Sequence, residues 1–181
     1  MRTLALALAL TLVAVPPARA HDDAPTPTTF SAARAHYAAI QQALAGDTTD
    51  GVADHAHALR DLARAASADF SAAATGIAPD QAAACRKLLP HLADAAVELA
   101  AAGGDLDQAR TAFAPLSDAM ISFRAMVPGD GPRVAYCPMA RHSWLQDGDK
   151  IANPYYGKKM LRCGQFSDGA AGASPPEGET P

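Results

Sequence analysis

Residues 105–127 read DLDQARTAFAPLSDAMISFRAMV, and this stretch decides the fold. Leu106, Ala109, Phe113, Leu116, Met120, Phe123 and Val127 recur at alternating spacings of three and four. Side chains at those intervals share one face of an α-helix, so the segment predicts an amphipathic helix with that stripe turned inward. Asp105 with Gln108, just after Gly103-Gly104, resembles a capping box and marks the start.

Three weaker copies of the same pattern lie upstream. Phe30, Ala33, Tyr37, Ile40 and Leu44 form the first, with Thr28 or Thr29 as cap and Gly46 as stop. Val52, Ala56, Leu59, Ala63, Ala66 and Phe70 form the second, with Arg60, Asp61 and Arg64 off the stripe. Cys85, Leu89, Leu92, Ala96 and Leu99 form the third. Pro90 and Pro115 fall inside the third and fourth patterns, where each removes a backbone hydrogen bond and predicts a kink or short break. Alanine dominates the composition and aromatics are only 6%, which suits helices with close interfaces. The expectation is an all-α fold: a four-helix up-and-down bundle over residues 29–127 with short connections.

Periodicity stops at Pro128-Gly129-Asp130-Gly131-Pro132. Residues 128–166 are expected to form an irregular, turn-rich Cys/Met appendage packed on the bundle. Residues 167–181, rich in Gly, Pro, Ser and acid, predict a disordered tail. At the other end, Arg2, the apolar run Leu4–Val15 and Ala18-Arg19-Ala20 read as a signal peptide over residues 1–20. Residues 21–28 then form a flexible mature N-terminus. The run is too short to span a bilayer, so no membrane anchor is expected. The chain is thus read as exported, with a periplasmic location.

A formal charge of −4 with both signs interspersed argues against nucleic acid or an anionic membrane as partner. No nucleophile elbow, phosphate loop or zinc-protease motif occurs, so the chain is not expected to be an enzyme. Three cysteines in an exported chain leave at least one unpaired.

The appendage holds two sulfur pairs. Cys137 and Met139 flank Pro138, and in an extended segment both point the same way. Met160 and Cys163 would share one face of a helical turn. Two thiolates and two thioethers make a soft donor set suited to Cu(I) or Ag(I). Zinc seldom uses methionine, which tilts the choice towards copper. Asn153-Pro154 and Gly157 supply a turn that returns the second pair towards the first. His142 is a possible extra ligand, and Trp144, Tyr155 and Tyr156 could wall the site. The alternative is a Cys137–Cys163 disulfide that staples a loop bearing Trp144, Tyr155 and Tyr156 as a partner-binding surface, with the methionines as ordinary packing.

The run Cys-Pro-Met, Trp-Leu, Asn-Pro-Tyr-Tyr-Gly and Met-x-x-Cys-Gly, from Tyr136 to Gly164, resembles a bacterial exported helical domain family of unknown function. That family also occurs at the C-terminus of periplasmic adaptor subunits of copper and silver efflux pumps. The segment around Phe113, Leu116 and Ser117 is similar to its last helix. The resemblance implies heavy-metal handling in the periplasm, with Cys137, Met139, Met160 and Cys163 at the matching motif positions. A periplasmic component of a metal efflux system is then the expected partner. Nothing in the chain reads as a lipoyl-type or barrel domain, so it is not expected to be the adaptor itself.

The other polar candidates read more plainly. His55 and His57 are two apart on a helix and cannot chelate one ion together. His36 and His91 read as ordinary helix residues, and Cys85 as a buried small hydrophobe. His21, once freed by cleavage, would place an α-amine beside an imidazole and suit Cu(II). Lys158 and Lys159 read as a solvated turn.

Overall fold

The computed structural model describes residues 27–167. The proposed signal peptide, His21 and the tail beyond Ser167 lie outside the described residues.

Four long helices form where the stripes predict them: α1 (Thr29–Ala45), α2 (Val52–Ala68), α4 (Ala82–Ala101) and α5 (Leu106–Met126), with a single turn α3 (Ala72–Thr75) between the second and third. Each long helix packs against two others, in the cyclic order α1, α2, α4, α5 and back to α1. The stripe residues are the core: Phe30, Tyr37, Ile40, Leu44, Leu59, Leu89, Leu92, Leu99, Phe113, Leu116, Met120 and Phe123 are all buried. Phe70 is only half-buried, because α2 ends at Ala68. The α2 and α4 faces turned inward are rich in alanine, with Ala56 and Ala63 on one and Ala93 and Ala96 on the other buried.

Helix starts follow side-chain chemistry. Thr28 Oγ1 accepts the Ser31 N–H at 3.2 Å and caps α1. The Asp105 carboxylate accepts the Asp107 and Gln108 N–H groups at 3.0 Å and caps α5, and the Gln108 side chain donates to it as well. These amides hold the Asp105 carboxyl below its usual range, the Gln108 N–H most of all. Neither internal proline breaks its helix. Pro90 and Pro115 both stand on the exposed side, where the carbonyl that each leaves without its helical partner faces solvent.

The C-terminal segment corrects the expected all-α fold. In place of an irregular appendage it builds a three-stranded antiparallel sheet in the order β2-β1-β3, from β1 (Arg133–Cys137), β2 (His142–Gln146) and β3 (Gln165–Phe166). The strands hide from pattern reading because β2 buries three successive residues, Trp144, Leu145 and Gln146, instead of alternating. The hairpin turn Pro138–Arg141 also lacks the Asn-Gly type of signal; Arg141 takes the left-handed conformation at φ 58° and donates its N–H to Cys137 O at 2.8 Å.

Polar contacts fix the C-terminal segment to the helices, buried ones at the sheet and more exposed ones at the turn that follows Asn153. The Tyr37 hydroxyl accepts the Leu145 N–H at 3.0 Å and pairs with Ser117 Oγ, and burial pushes this phenol far above its ordinary pKa. Tyr37 and Phe113 stack at 5.2 Å, and Tyr155 approaches Phe113 at 5.7 Å. Arg110 donates to Pro154 O at 3.1 Å, to Leu44 O at 3.0 Å and to the Asp47 carboxylate. Asp47 also accepts the Lys158 N–H, at 3.2 Å. Gly157, at φ 55°, lies directly against Asp47 and Arg110, where any side chain would collide with both.

This clamp has a pH signature. Arg110 first, and then the Lys158 amide, hold the Asp47 carboxyl below the usual carboxylate range. A depressed acid stabilises the fold above its unfolded pKa, and that contribution is lost as pH falls through the folded value. The Gly157 and Lys158 amide resonances are therefore expected to move on acidification below the ordinary aspartate range, and Asp47→Asn should abolish that pH dependence. Resonances that stay fixed through acid in the unsubstituted chain would show that the carboxylate does not hold the turn.

Among the described residues no helix is long and apolar enough to cross a membrane.

Candidate soft-metal site

Cys137 ends β1 and is fully buried; Cys163 lies just before β3 and is half-buried. Their sulfurs stand 2.9 Å apart, across 26 positions of sequence. The hairpin turn between β1 and β2 aims its amides at both. The Ala140 N–H donates to Cys137 Sγ at 3.4 Å, and the Met139 N–H favours the thiolate of Cys163. Amides directed at sulfur stabilise its anionic form, as a metal-binding or redox-active pair requires. Against them, the Cys137 thiol beside it raises the Cys163 thiol above its ordinary pKa, with burial adding to the effect.

Cys163 is held from the other side by Asn153, which is itself fully buried. Asn153 Nδ2 donates to Cys163 O at 2.8 Å, while Oδ1 accepts the Tyr155 and Tyr156 N–H groups at 2.8 and 3.3 Å. Its backbone N–H donates to Leu161 O at 2.9 Å. The expected Asn-Pro turn therefore exists, and one side chain carries it. Gly164 is required for a different reason: at φ 138° it rests on the indole, and a Cβ there would lie 2.8 Å from Trp144 Cη2.

The four-sulfur set is brought together only in part. Met139 sits at the hairpin tip, 62% exposed, and its carbonyl accepts the Tyr156 hydroxyl at 3.2 Å. Met160 closes the 3₁₀ turn Gly157–Met160 and is half-buried. Among the described residues no hydrogen bond joins either thioether to the cysteine pair. His142 is the cross-strand neighbour of Cys137, yet its ring packs on Tyr155 at 5.1 Å, and no cluster of three or more His, Cys, Asp or Glu forms there or elsewhere among the described residues.

Trp144, expected on a partner-binding surface, belongs to the core. It is fully buried, meets Tyr155 edge-on at 6.1 Å and donates from Nε1 to Gln146 Oε1 at 3.0 Å. The Trp144 side chain cannot touch a partner. Tyr155 and Tyr156 are half-buried, and Tyr155 donates its hydroxyl to Ser143 O at 2.8 Å. Both line an open groove of ≈ 470 Å³ with Arg110, Thr111, Ala140 and His142. Cys85 sits in the helical core, where burial pushes its thiol up. His57 contacts Arg60 at 2.9 Å on the surface of α2.

Sequence reasoning missed Asp47 and Arg110, which seat the Tyr-Tyr-Gly turn. Asp47 falls in a loop and Arg110 on the flank of α5, so neither belongs to a motif. It missed Gln146 as well, which accepts from both Trp144 and the Ala152 N–H. In comparisons with protein-family models, curated proteins and solved structures, the chain matches none.

Proposed function

We propose that this is an exported, periplasmic soft-metal protein that sequesters or passes on Cu(I) or Ag(I) in heavy-metal resistance. Cys137 and Cys163 are the thiolate ligands, with Met139 and Met160 as thioethers that join during loading and release. One observation carries the reading: two cysteines remote in sequence meet beneath the amides of one hairpin turn. A bound ion at a metal–sulfur distance of roughly 2.3 Å needs the sulfurs up to about 4 Å apart or slightly more. Cys163 lies outside the regular elements and is half-buried, so its side chain is the member that turns aside to admit the ion. Met139, exposed beside the pair, is placed to meet an acceptor protein first. We read the four long helices as an up-and-down bundle that serves as scaffold, on the strength of their cyclic packing.

The same closeness of the sulfurs favours a second reading. There the pair is a disulfide, and the protein is a non-enzymatic interaction module that docks on an efflux or envelope partner through the groove beside Tyr155 and Tyr156. Thiol counting followed by Cu(I) titration of the reduced chain separates the two. The metal reading expects uptake of about one Cu(I) per chain against a weak chelator, abolished by Cys137→Ser or Cys163→Ser. Met139→Ala should weaken binding about tenfold. Reduced protein that takes up no Cu(I) would leave the stapled module.

A further inference from the structure

His36 on α1 and His55 on α2 face each other across the helix contact. Their Nδ1 atoms lie 3.0 Å apart and their rings meet at 5.3 Å with planes inclined by 50°. Both residues are half-buried at the edge of the core, next to Tyr37 and Ala56. At this distance the two nitrogens share one proton between them, so one lone pair is directed at the other ring. Among the described residues neither ring has a second hydrogen-bond partner.

We propose that His36 and His55 form a two-imidazole site for a borderline divalent transition-metal ion, independent of the cysteine pair. The geometry fits such an ion in place of the shared proton. At a metal–nitrogen bond of about 2.0–2.1 Å, two imidazole nitrogens stand about 2.9 Å apart for a right-angled pair and about 3.4 Å apart for a tetrahedral one. The observed separation falls between these limits, so turning each ring off the N···N line aims both lone pairs at one point. Imidazole nitrogens suit Zn²⁺, Cu²⁺ and Ni²⁺, whereas Cu(I) prefers sulfur. Among the described residues no third His, Cys, Asp or Glu joins the pair, so water would fill the remaining positions and the ion would exchange freely. Cysteine pair and histidine pair would thus take different classes of ion, one soft and monovalent, one borderline and divalent.

The test is a Zn²⁺ titration of the full chain followed through the ring nitrogens of each histidine by two-bond ¹H–¹⁵N correlation spectra. This readout is specific to each ring, so ion held at the cysteine pair does not enter it. The His36 and His55 Nδ1 resonances should move together and saturate with a common affinity. His36→Gln or His55→Gln should each weaken that response at the remaining ring by about tenfold or more, and His57→Gln should leave it unchanged. The proposal is overturned if neither ring responds below ~1 mM Zn²⁺, if only one of the two responds, or if His57→Gln removes the response.

Discussion

Replacing Trp144 by alanine is expected to destabilise the protein by about 3–5 kcal/mol, the range for a large aromatic removed from a packed core. Four losses combine here. The indole is fully buried, and Nε1 satisfies Gln146 Oε1. Its edge packs on Tyr155, and its Cη2 side is the surface on which Gly164 rests. The residual cavity would sit beneath the segment that carries Cys163. A chain of this size should show a fall in melting temperature on the order of 10 °C. Circular dichroism across a thermal ramp measures this directly. A residue that served as a docking surface would instead leave the melting curve unchanged, and that result would return Trp144 to the surface role read from the sequence.

Asn153→Ala is the second large effect, and it acts on the site more than on the core. Removing the amide leaves the Tyr155 and Tyr156 N–H groups and the Cys163 carbonyl without their present partner in a buried turn. Each buried group so orphaned costs about 1–3 kcal/mol, less where water enters, so a total of about 3 kcal/mol is expected. Cys163 also loses the bond that holds it opposite Cys137. The rate at which a disulfide reagent labels Cys163 should rise well before the helices melt, because the partners of this amide all lie in the C-terminal segment. Asn153→Asp is a sharper variant: it keeps the acceptor for the two tyrosine amides and loses the donor to Cys163. If Asn153→Asp labels no faster than the unsubstituted chain, the amide does not position the cysteine.

How much of this was legible beforehand follows from the range of each interaction. The helical stripes are local and periodic: every stripe residue of α1 and of α4 is buried. Asp105 and Thr28 cap their helices because capping acts within three residues. The sheet was not legible, since Arg133–Cys137 and His142–Gln146 are short and β2, packed against α1 and α5, buries three successive residues instead of alternating. The meeting of Cys137 with Cys163 was suggested by residue type and by a motif, and the turn at Asn153 makes it physical. His36 and His55 show the limit most clearly. Sequence spacing tests His55 only against neighbours on its own helix, such as His57, whereas its partner depends on how α1 and α2 pack.

The alanine-rich faces of α2 and α4 carry a consequence for how this chain can change. Ala56, Ala63, Ala93 and Ala96 have almost nothing to lose by truncation, yet no room for growth. An added methylene at such a site forces the two backbones apart, at about 1–3 kcal/mol. Sequence drift along this helix pair is therefore one-sided, and residue size there should vary far less than hydrophobicity alone would permit. The sulfur-bearing segment is the opposite case. Several of its fixings run from side chain to backbone, through Asn153, Arg110 and Gln146, so a gripped residue with no further role, such as Ala152, can vary while its amide stays in place.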